Sequence, residues 1–479
     1  SIFFIAFPFL GKHHCKIRIQ FQMKQTNTLF FIVAALASTL LSAQENWEVL
    51  FNGKDLKNFE QLNGNAKYEV KNNELIGTSK IGTPNSFMAT KNTYGDFILE
   101  FDVLVENGLN SGVQFRSLST PDYMEGRVHG YQCEIETSSR KWAGGVYDEA
   151  RNGWLYPLTR NPKGQNAFVP GQWNHYRIEA IGQKIRTWIN DVQCTNLVDD
   201  TTAKGFIAFQ VHSIHDESLE GKTVRWKNIK IKTSDLENSK KTVDSEVPEI
   251  SYLKNVLTEN EARTGWRLLW DGKSTNGWRG AKSDKFPEKG WEMSDGILSV
   301  LSSGGAESRN GGDIVTENLF NDFELSVDFK ITEGANSGIK YFVDSELNKG
   351  EGSAIGLEFQ VLDDKKHPDA KMGKNGNRTV GSLYDLIRAE NNGSSRGKNF
   401  KGVEKWNNAR VVVRGGHVEH WLNQVKVVEF DRHSQLFRAL VEKSKYEKWD
   451  NFGQIPEGLI LLQDHGDKVS FKSIKVREF

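Results

Sequence analysis

The chain has 479 residues, too many for a single hydrophobic core, so its length predicts two or three domains. Lysine plus arginine and aspartate plus glutamate each number 62, which removes the broad positive field of a nucleic-acid-binding protein. The 44 glycines, 13 tryptophans and 28 phenylalanines, against 10 prolines and 3 cysteines, indicate an ordered, turn-rich protein without a disulfide scaffold. We therefore expect an all-β fold and no nucleic-acid partner.

The first predicted element is a secretory signal peptide over residues 23–43. It begins with Met-Lys, continues through an apolar stretch and ends in an Ala-x-Ala-like cleavage site after Ala43. The stretch is short for a bilayer core of about 30 Å, so we expect secretion to the periplasm and no membrane insertion. Residues 1–22, with His13-His14-Cys15, are interpreted as a mis-set upstream extension. Whether the remaining Cys133 and Cys194 pair is left open.

The rest of the chain repeats itself once, with matching segments in the same order. Asp96-Phe-x-Leu-x-x-Asp returns as Asp322-Phe-x-Leu-x-x-Asp. Other matched segments are Asn110-Ser-Gly and Asn336-Ser-Gly, Trp173-Asn and Trp406-Asn, Trp188-Ile-Asn and Trp421-Leu-Asn, and Gln210-Val-His and Gln463-Asp-His. We predict a first repeat over residues 44–234, a linker over 235–262 and a second repeat over 263–479. Thr258 and Glu261 in the linker form a plausible capping box, which predicts one short helix there.

Within each repeat the apolar residues alternate with a period of two, as expected for half-buried strands. The alternating positions include Phe97, Leu99, Phe101, Val103, Tyr176, Ile178, Ala180, Phe206, Ala208, Leu325, Val327 and Phe329. Short runs punctuated by Gly, Asn and Asp predict two packed antiparallel sheets, so each repeat is expected to be a β-sandwich. Four repeated tryptophans are interpreted as core residues: Trp173, Trp188, Trp406 and Trp421.

One predicted strand in each repeat carries an acid beside an amide. Gln132, Glu134 and Glu136 share one face, opposite Cys133 and Ile135. In the second repeat, Glu358 and Gln360 likewise oppose Phe359 and Val361. A carboxylate next to an amide can hold sugar hydroxyls while the acid exchanges protons. The alternative interpretation is an ordinary solvated strand face.

A second strand places a histidine two residues after a glutamine in both repeats, as Gln210 and His212 and as Gln463 and His465. Imidazole titrates near neutral pH and can act as an acid or a base, although a structural histidine is the alternative. The predicted catalytic residues are therefore Glu134, His212, Glu358 and His465.

Further candidates for substrate binding lie on a strand and on glycine-initiated loops. Those on the strand are Gln114, Arg116 and Lys340, and those on the loops are Tyr147, Asp148, Arg151, Trp154, Tyr156, Tyr384, Asp385 and Arg388. Aromatic rings stack on sugar faces while charged groups take the hydroxyls, although these aromatics could instead cover the core. Neither a nucleotide-binding loop nor a zinc-protease motif is present. No cofactor is required, and a divalent metal on loop oxygens is left open.

Several motifs resemble the 3-keto-disaccharide hydrolase family. In the second repeat they are Gly356-Leu-Glu-Phe-Gln-Val-Leu-Asp, His367-Pro-Asp-Ala, Gly376-Asn-Arg, Gly381-Ser-Leu-Tyr-Asp and Leu462-Gln-Asp-His-Gly; in the first they are Gly145-Val-Tyr-Asp-Glu and Gly153-Trp-Leu-Tyr-Pro. The resemblance implies concanavalin A-like jelly rolls, a Gram-negative secreted enzyme, an oxidised sugar substrate with a ketone at C3, and a glycoside 3-oxidoreductase as functional partner. Acid and amide exchange positions between the repeats, so either one arrangement is active or the two serve different substrates.

The implied chemistry needs one base, one acid and a group that polarises the enolate. A C3 ketone acidifies the C2 proton, so a base can remove it, the C1 oxygen leaves by elimination, and water adds back. In the second repeat we assign the proton transfers to His465 and Glu358, the hydroxyl contacts to Gln360 and Gln463, and the substrate grip to Arg388 with Tyr384. The first-repeat counterparts are His212, Glu134, Gln132, Gln210, Arg151 and Tyr147. The rival hypotheses are a lectin-like binding protein and a retaining glycosidase, which needs two carboxyl groups about 5 Å apart.

Overall fold

The computed structural model describes residues 46–390 and 398–479. The predicted signal peptide, the upstream extension and His13-His14-Cys15 lie outside the described residues. Among the helices of the described part, none combines the length and the hydrophobicity that a membrane span needs.

The first repeat contains two sheets, which are antiparallel except for the pairing of β16 with β13. A nine-stranded back sheet has the order β16-β13-β12-β11-β6-β15-β4-β3, with β1 beside β15, and a seven-stranded front sheet has the order β10-β9-β8-β7-β14-β5-β2. The strands are β1 (Glu48–Val49), β2 (Phe59–Asn63), β3 (Lys67–Lys71), β4 (Glu74–Thr78), β5 (Ser86–Thr90), β6 (Phe97–Val105), β7 (Asn110–Leu118), β8 (His129–Glu136), β9 (Val146–Glu149), β10 (Gly153–Tyr156), β11 (Asn174–Ile181), β12 (Lys184–Ile189), β13 (Val192–Val198), β14 (Phe206–Val211), β15 (Thr223–Lys232) and β16 (Ile250–Ser251).

The second repeat is built in the same way. Its back sheet has the order β19-β20-β29-β22-β25-β26-β27, with β17 beside β29, and its front sheet has the order β18-β21-β28-β23-β24. The strands are β17 (Arg267–Leu268), β18 (Trp278–Gly280), β19 (Trp291–Ser294), β20 (Ile297–Val300), β21 (Ile314–Thr316), β22 (Phe323–Ile331), β23 (Asn336–Asp344), β24 (Ile355–Leu362), β25 (Asn407–Arg414), β26 (His417–Leu422), β27 (Val425–Asp431), β28 (Leu459–Leu462) and β29 (Val469–Glu478). The predicted all-β, jelly-roll fold class is confirmed.

Helices are short and lie between strands. In the described residues, the α-helices are α1 (Pro162–Gln165), α2 (Glu259–Arg263) and α3 (Gln435–Glu442), and the 3-10 helices are Met124–Gly126, Leu158–Arg160, Glu217–Leu219 and Pro368–Lys371. Helix α2 begins with the predicted capping box: Thr258 accepts the Glu261 N–H, and the Glu261 carboxylate accepts the Thr258 N–H. The predicted linker is therefore ordered at this point.

Alternation along the front-sheet strands separates a core face from a polar face. Cys133 and Ile135 on β8, and Phe359 and Val361 on β24, are fully buried in the two hydrophobic cores. Their neighbours, including Glu134 and the other predicted acid-and-amide positions, therefore point to the outer face of each front sheet. This outcome agrees with the predicted alternation. Cys133 and Cys194 are free thiols, and burial raises the pKa of each.

Two groups of residues that were expected to face the hydrophobic core lie elsewhere: one is on strand β14, and the other consists of tryptophans. On β14 the core residues are Ile207 and Phe209, whereas Phe206 and Ala208 lie on the outer face in a small separate cluster. Three of the four tryptophans were also misassigned. Trp421 pairs across strands with Arg410 on a polar face, and Trp173 and Trp406 are half-buried beneath the ammonium groups of Lys227 and Lys472. Trp188 is buried as predicted, although it pairs across strands with Arg177.

The two repeats contact each other directly within one compact unit, residues 47–479. Strand β16, which comes from the predicted linker, pairs in parallel with the edge strand β13 of the first repeat. The Thr159 hydroxyl of the first repeat donates to the Gln424 carbonyl of the second at 2.5 Å.

A buried carboxylate at this junction is surrounded by guanidinium groups from both repeats. Glu324 accepts from Arg410 and from Arg477 Nε at 2.8 Å, and Arg160 Nη2 of the first repeat lies 4.0 Å from its Oε1. Burial opposes the ionisation of Glu324, but the three cations outweigh it and hold its pKa below the usual range. We name this group the Glu324 cluster.

Candidate functional site

The outer face of the second front sheet gathers an acid, an amide, a lysine and a histidine. Glu358 on β24 lies opposite Lys340 on β23, with 3.7 Å between Oε2 and Nζ. Gln463 and His465 follow directly after β28, where the Ser337 hydroxyl donates to the Gln463 carbonyl at 2.8 Å. The structure thus brings together four of the predicted site residues, which we name the second site.

Glu358 is the acid of the second site, and only 5% of its surface is exposed. Burial raises the pKa of Glu358, although the Lys340 charge opposes this shift. A Cβ atom on Gly338 would lie 2.3 Å from Glu358 Oε1, so only glycine lets the carboxyl group lie against the sheet at this point. A carboxyl whose pKa is raised above its usual range is a better general base than an ordinary carboxylate and can also act as an acid.

The loop after β24 forms a rigid network beside Glu358. The Tyr384 hydroxyl donates to Asp369 Oδ2 at 2.7 Å, and Arg378 bonds both Asp369 and Asp385 at 2.8 and 2.7 Å. Arg378 also stacks on the Tyr384 ring at 5.3 Å. The predicted partner of Tyr384 was Arg388, which instead is exposed and lies beside Gly376. The arginine that contacts Tyr384 is therefore Arg378 and not Arg388.

Gln360 shares the face of Glu358 but is fully buried under this loop. Its Oε1 accepts the Val361 N–H at 3.1 Å, and its Nε2 donates to the Arg378 carbonyl at 3.3 Å. Because both ends of the amide are used by the backbone, the expected contact between Gln360 and substrate hydroxyls has no geometric support.

Sequence reasoning missed several residues of the second site. Gln463 Nε2 donates to Glu307 Oε1 at 3.2 Å, and Lys445 Nζ lies 4.2 Å from the centre of the Tyr384 ring. His367 packs edge-on against His465, with the ring centres 6.0 Å apart. The motifs His367-Pro-Asp and Gly376-Asn-Arg carried a signal for His367, Asp369 and Arg378, whereas Glu307 and Lys445 belong to no motif.

The outer face of the first front sheet carries a different arrangement, which we name the first site. Glu134 accepts from Asn110 Nδ2 at 2.6 Å and from Gln132 Nε2 at 3.1 Å. Gln114 Nε2 in turn donates to Gln132 Oε1 at 2.6 Å. Burial, with the charge of Glu136, raises the pKa of Glu134 to about 7. The first site is therefore a chain of amides ending on one acid.

Two further predicted residues lie on the next strand of the first site. Gln210 is completely buried, and neither end of its side-chain amide has a hydrogen-bond partner among the described residues. His212 is half-buried, and its Nδ1 lies 2.6 Å from the Ser213 carbonyl oxygen. A buried amide without partners is costly, and within the described part of the chain the Gln210 side chain leaves one donor and one acceptor unsatisfied beside Glu134's sheet face.

An aromatic group borders the first site. Trp154 packs edge-on against Tyr147 and Trp142, with ring centres 5.3 and 4.8 Å apart. The Arg140 guanidinium lies 4.9 Å from the Trp154 ring and bonds Glu136 at 2.9 Å and Glu134 at 3.4 Å. Trp154 and Tyr147 were predicted here, but Arg140 and Trp142 were not.

Four other candidates of the first repeat do not lie on the site face. Asp148 pairs across strands with the core residue Tyr131 and binds Arg151 Nε at 2.8 Å, so both belong to the inner face. Arg116 donates to the Gly95 and Gly182 carbonyls, both at 2.8 Å. Tyr156 lies in the core and donates to the Pro248 carbonyl at 2.6 Å. Their contacts are structural. Strand parity turns Asp148 away from Glu134, whereas β-bulges at Arg116 and before Tyr156 break the parity that these residues would otherwise share with Gln114 and Trp154.

Replacing Glu134 by glutamine should change how stability depends on pH. Between the ordinary glutamate pKa of 4.5 and about 7, the folded chain keeps a proton that the unfolded chain has released. Wild-type stability should therefore fall relative to E134Q as pH rises through this window, by an amount on the order of 3 kcal/mol, and stay level above it. Urea unfolding of both proteins at pH 4.5, 6 and 8 measures the difference; a difference that grows in favour of the wild type would contradict the assignment.

The chain resembles known proteins over both repeats. The family described as "3-keto-alpha-glucoside-1,2-lyase-like domain" matches residues 46–232 and 265–477. A 3-keto-disaccharide hydrolase of Bacteroides thetaiotaomicron is 36% identical over 233 residues, which are 44% of this chain and 78% of that protein. A crystal structure of a proposed glycosyl hydrolase from Parabacteroides distasonis is 29% identical and covers 47% of this chain and 99% of its own, with a TM-score of 0.40. The carbohydrate-binding module CBM66 of Bacillus subtilis, at 15% identity, covers 35% of this chain and 92% of its own, with a TM-score of 0.26.

Two sandwiches that each bury a carboxyl group on one sheet face, together with the family match and the 36% identical hydrolase, define a glycoside-acting enzyme of the hydrolase or lyase type. The chain belongs to the 3-keto-alpha-glucoside-1,2-lyase-like family.

Proposed function

We propose that the second site cleaves 3-keto-disaccharides by elimination followed by hydration. The observation that carries this proposal is the buried Glu358, whose pKa is raised, beside Lys340 and on the same face as Gln463 and His465. Elimination next to a ketone needs a base and an acid but no second carboxylate, and this set provides both.

The proposed reaction has two balanced steps. A base takes the proton from C2, the electrons of the C2–H bond form a C1=C2 double bond, and the C1–O bond breaks. The departing oxygen receives a proton, which releases the second sugar. Water then adds its oxygen to C1 and a proton returns to C2, so the net result is hydrolysis.

In this proposal Glu358 and His465 share the proton transfers, as expected from the sequence. Lys340 lies next to Glu358 and stabilises negative charge that develops on the substrate. Gln463 contacts a sugar hydroxyl, and Tyr384 is the wall of the site, held by Asp369. Arg388 and Gln360, whose side chains lie away from the site or are already bonded, have no role in it.

At the first site, a retaining glycosidase is disfavoured by the hydrogen bonds of Glu136, the neighbouring carboxylate on the same strand face as Glu134. Glu136 accepts from the Trp142 N–H at 2.6 Å, from the Ser138 hydroxyl at 2.9 Å and from Arg140 Nε at 2.9 Å. A carboxylate occupied by three donors is a poor nucleophile.

We further propose that the first site binds a saccharide without cleaving it. The acid and amide are exchanged relative to the second site, and Gln114 stands where the second repeat has Lys340. The first site therefore lacks the lysine that would stabilise a developing enolate. The amide of Gln210, which has no hydrogen-bond partner among the described residues, and the half-buried ring of Trp154 are the groups that we assign to hydroxyl and stacking contacts with a sugar.

The proposed reaction and the N-terminal sequence also indicate where the substrate comes from and where the protein acts. The reaction consumes a ketone at C3, so we infer that a glycoside 3-oxidoreductase supplies it. The signal-peptide pattern of residues 23–43 supports secretion to the periplasm, where both proteins would meet.

Incubation of the protein with a 3-keto-disaccharide in D₂O tests the proposed function. We expect release of the second sugar and one deuterium at C2 of the 3-keto product, because the returning proton comes from solvent. The product alone, kept in D₂O for the same time, corrects for spontaneous exchange. Unchanged substrate would indicate a lectin-like binder, and cleavage without deuterium at C2 would indicate direct hydrolysis; either result contradicts the proposal.

A further inference from the structure

We propose that the second site holds one divalent transition-metal ion, bound by His465, Asp467 and His367. One ligand atom from each residue lies within 4.8 Å of the others, which is the spacing that a single ion can bridge. His465 and Asp467 follow β28, while His367 precedes the 3-10 helix Pro368–Lys371. Residues from two separate segments thus converge on one point beside the proposed catalytic groups.

Buried acceptors without partners support a cation at this point. His465 Nδ1, Gln463 Oε1 and Asn336 Oδ1 are all buried and have no hydrogen-bond partner among the described residues. Gln463 Oε1 and Asn336 Oδ1 are lone-pair acceptors, and His465 Nδ1 is an acceptor in the tautomer that carries its proton on Nε2. In the first site, by contrast, Gln210 leaves both its acceptor and its donor unpaired. A set of acceptors alone fits a cation, whereas a saccharide presents acceptors that need donors as well.

The protein also orients the proposed ligands. Asp467 Oδ2 accepts the Asn336 N–H at 3.0 Å, which fixes its carboxylate at the start of β23. His367 Nδ1 accepts the Asp369 N–H at 3.1 Å. If His367 bound the metal ion through Nδ1, it would lose this hydrogen bond from the Asp369 N–H. Because this loss would weaken its contribution, we assign His465 and Asp467 as the main ligands and His367 as the third.

The ligand types define the class of metal. Two imidazoles with one carboxylate suit Mn²⁺, Co²⁺ or Zn²⁺ better than Ca²⁺ or Mg²⁺, which prefer oxygen ligands throughout. The first repeat has Ile214 at the position that corresponds to Asp467. We therefore expect one ion per chain, in the second repeat.

The ion would deepen the proposed function, on which this consequence rests. A bound cation is a Lewis acid that can polarise the C3 ketone of the substrate. Because the Nδ1 lone pair of His465 would then be occupied, Glu358 would carry the proton transfers. A bound ion would thus change one assignment of the proposed function, because His465 would act as a ligand instead of sharing the proton transfers. The acidity of C2 would rise because the enolate oxygen is stabilised.

Cobalt binding to the full chain tests the site without relying on activity. The protein is treated with EDTA, dialysed and titrated with Co²⁺, while visible absorption and calorimetry are recorded. We expect saturation at one ion per chain, with the visible bands of nitrogen- and oxygen-bound Co²⁺. H465A and D467N should each weaken binding at least 100-fold, and H367A about 10-fold. His417, Glu419 and Glu429 form a more exposed cluster, so H417A is the matched control and should leave the stoichiometry unchanged.

The outcomes separate the two proposals. Absence of saturable Co²⁺ binding, or binding that survives in H465A and D467N but is lost in H417A, overturns the metal site. Near-UV circular dichroism verifies that each variant is folded. If D467N does not fold, Co²⁺ binding to H367A decides whether the metal site is correct. Saturable binding without cleavage of a 3-keto-disaccharide overturns the proposed function and leaves the metal site standing.

Discussion

Replacing Glu358 by glutamine should lower kcat on a 3-keto-disaccharide by about a thousandfold, within the range known for loss of a general acid or base. Glutamine keeps the size of the side chain and its place against Gly338 but cannot exchange a proton. KM should change much less than kcat, because the amide can still accept a hydrogen bond from the substrate. Initial rates of sugar release over a range of substrate concentrations measure both quantities.

The matched variant is E134Q, which makes the same change in the first repeat. Because we assign cleavage to the second site, E134Q should keep kcat within a few fold of wild type and alter saccharide binding instead. Retention of more than a tenth of the wild-type kcat in folded E358Q would refute the role of Glu358. A thousandfold loss in E134Q with little loss in E358Q would move catalysis to the first site.

Replacing Glu324 by glutamine should reduce the free energy of unfolding by about 3–5 kcal/mol, as expected when one partner of a buried ion pair is removed. The Glu324 cluster would then contain Arg160, Arg410 and Arg477 without a carboxylate to neutralise them. These arginines come from both repeats, so the loss should weaken the contact between the two sandwiches. Urea unfolding followed by tryptophan fluorescence measures the change.

E478Q is the control for this prediction. Glu478 pairs with Arg267 at 2.7 Å, and about half of each side chain is exposed, with relative values of 52% and 43%. Exposed pairs contribute about 0–1 kcal/mol, so E478Q should be close to wild type. If both variants lose the same small amount, the Glu324 cluster is not a stabilising contact between the repeats.

The sequence was sufficient to predict features that depend on a strand's own periodicity. Alternation placed Glu134 and Glu358 opposite the core residues of the same strands, and the structure agrees. The capping box at Thr258 was equally local. These features need no knowledge of what packs against the strand.

Features that depend on partners from distant segments could not be predicted in this way. Arg378 and Arg388 both lie in the segment that follows β24, and only the folded segment determines that Arg378 reaches Tyr384. Asp148 was assigned to the site because it follows Tyr147, but successive residues of a strand point to opposite faces. Arg151 lies after β9 and bonds Asp148. Trp421 was assigned to the core by its hydrophobicity, whereas its ring lies over the guanidinium of Arg410.

The parallel pairing of β16 with β13 has a practical consequence for dissecting the protein. A fragment that stops at residue 234, where the repeat pattern ends, would lack β16 and leave β13 as an open edge. Unpaired N–H and C=O groups on such an edge invite pairing between molecules, so the fragment should aggregate. Work on an isolated N-terminal half should therefore extend it at least to Ser251.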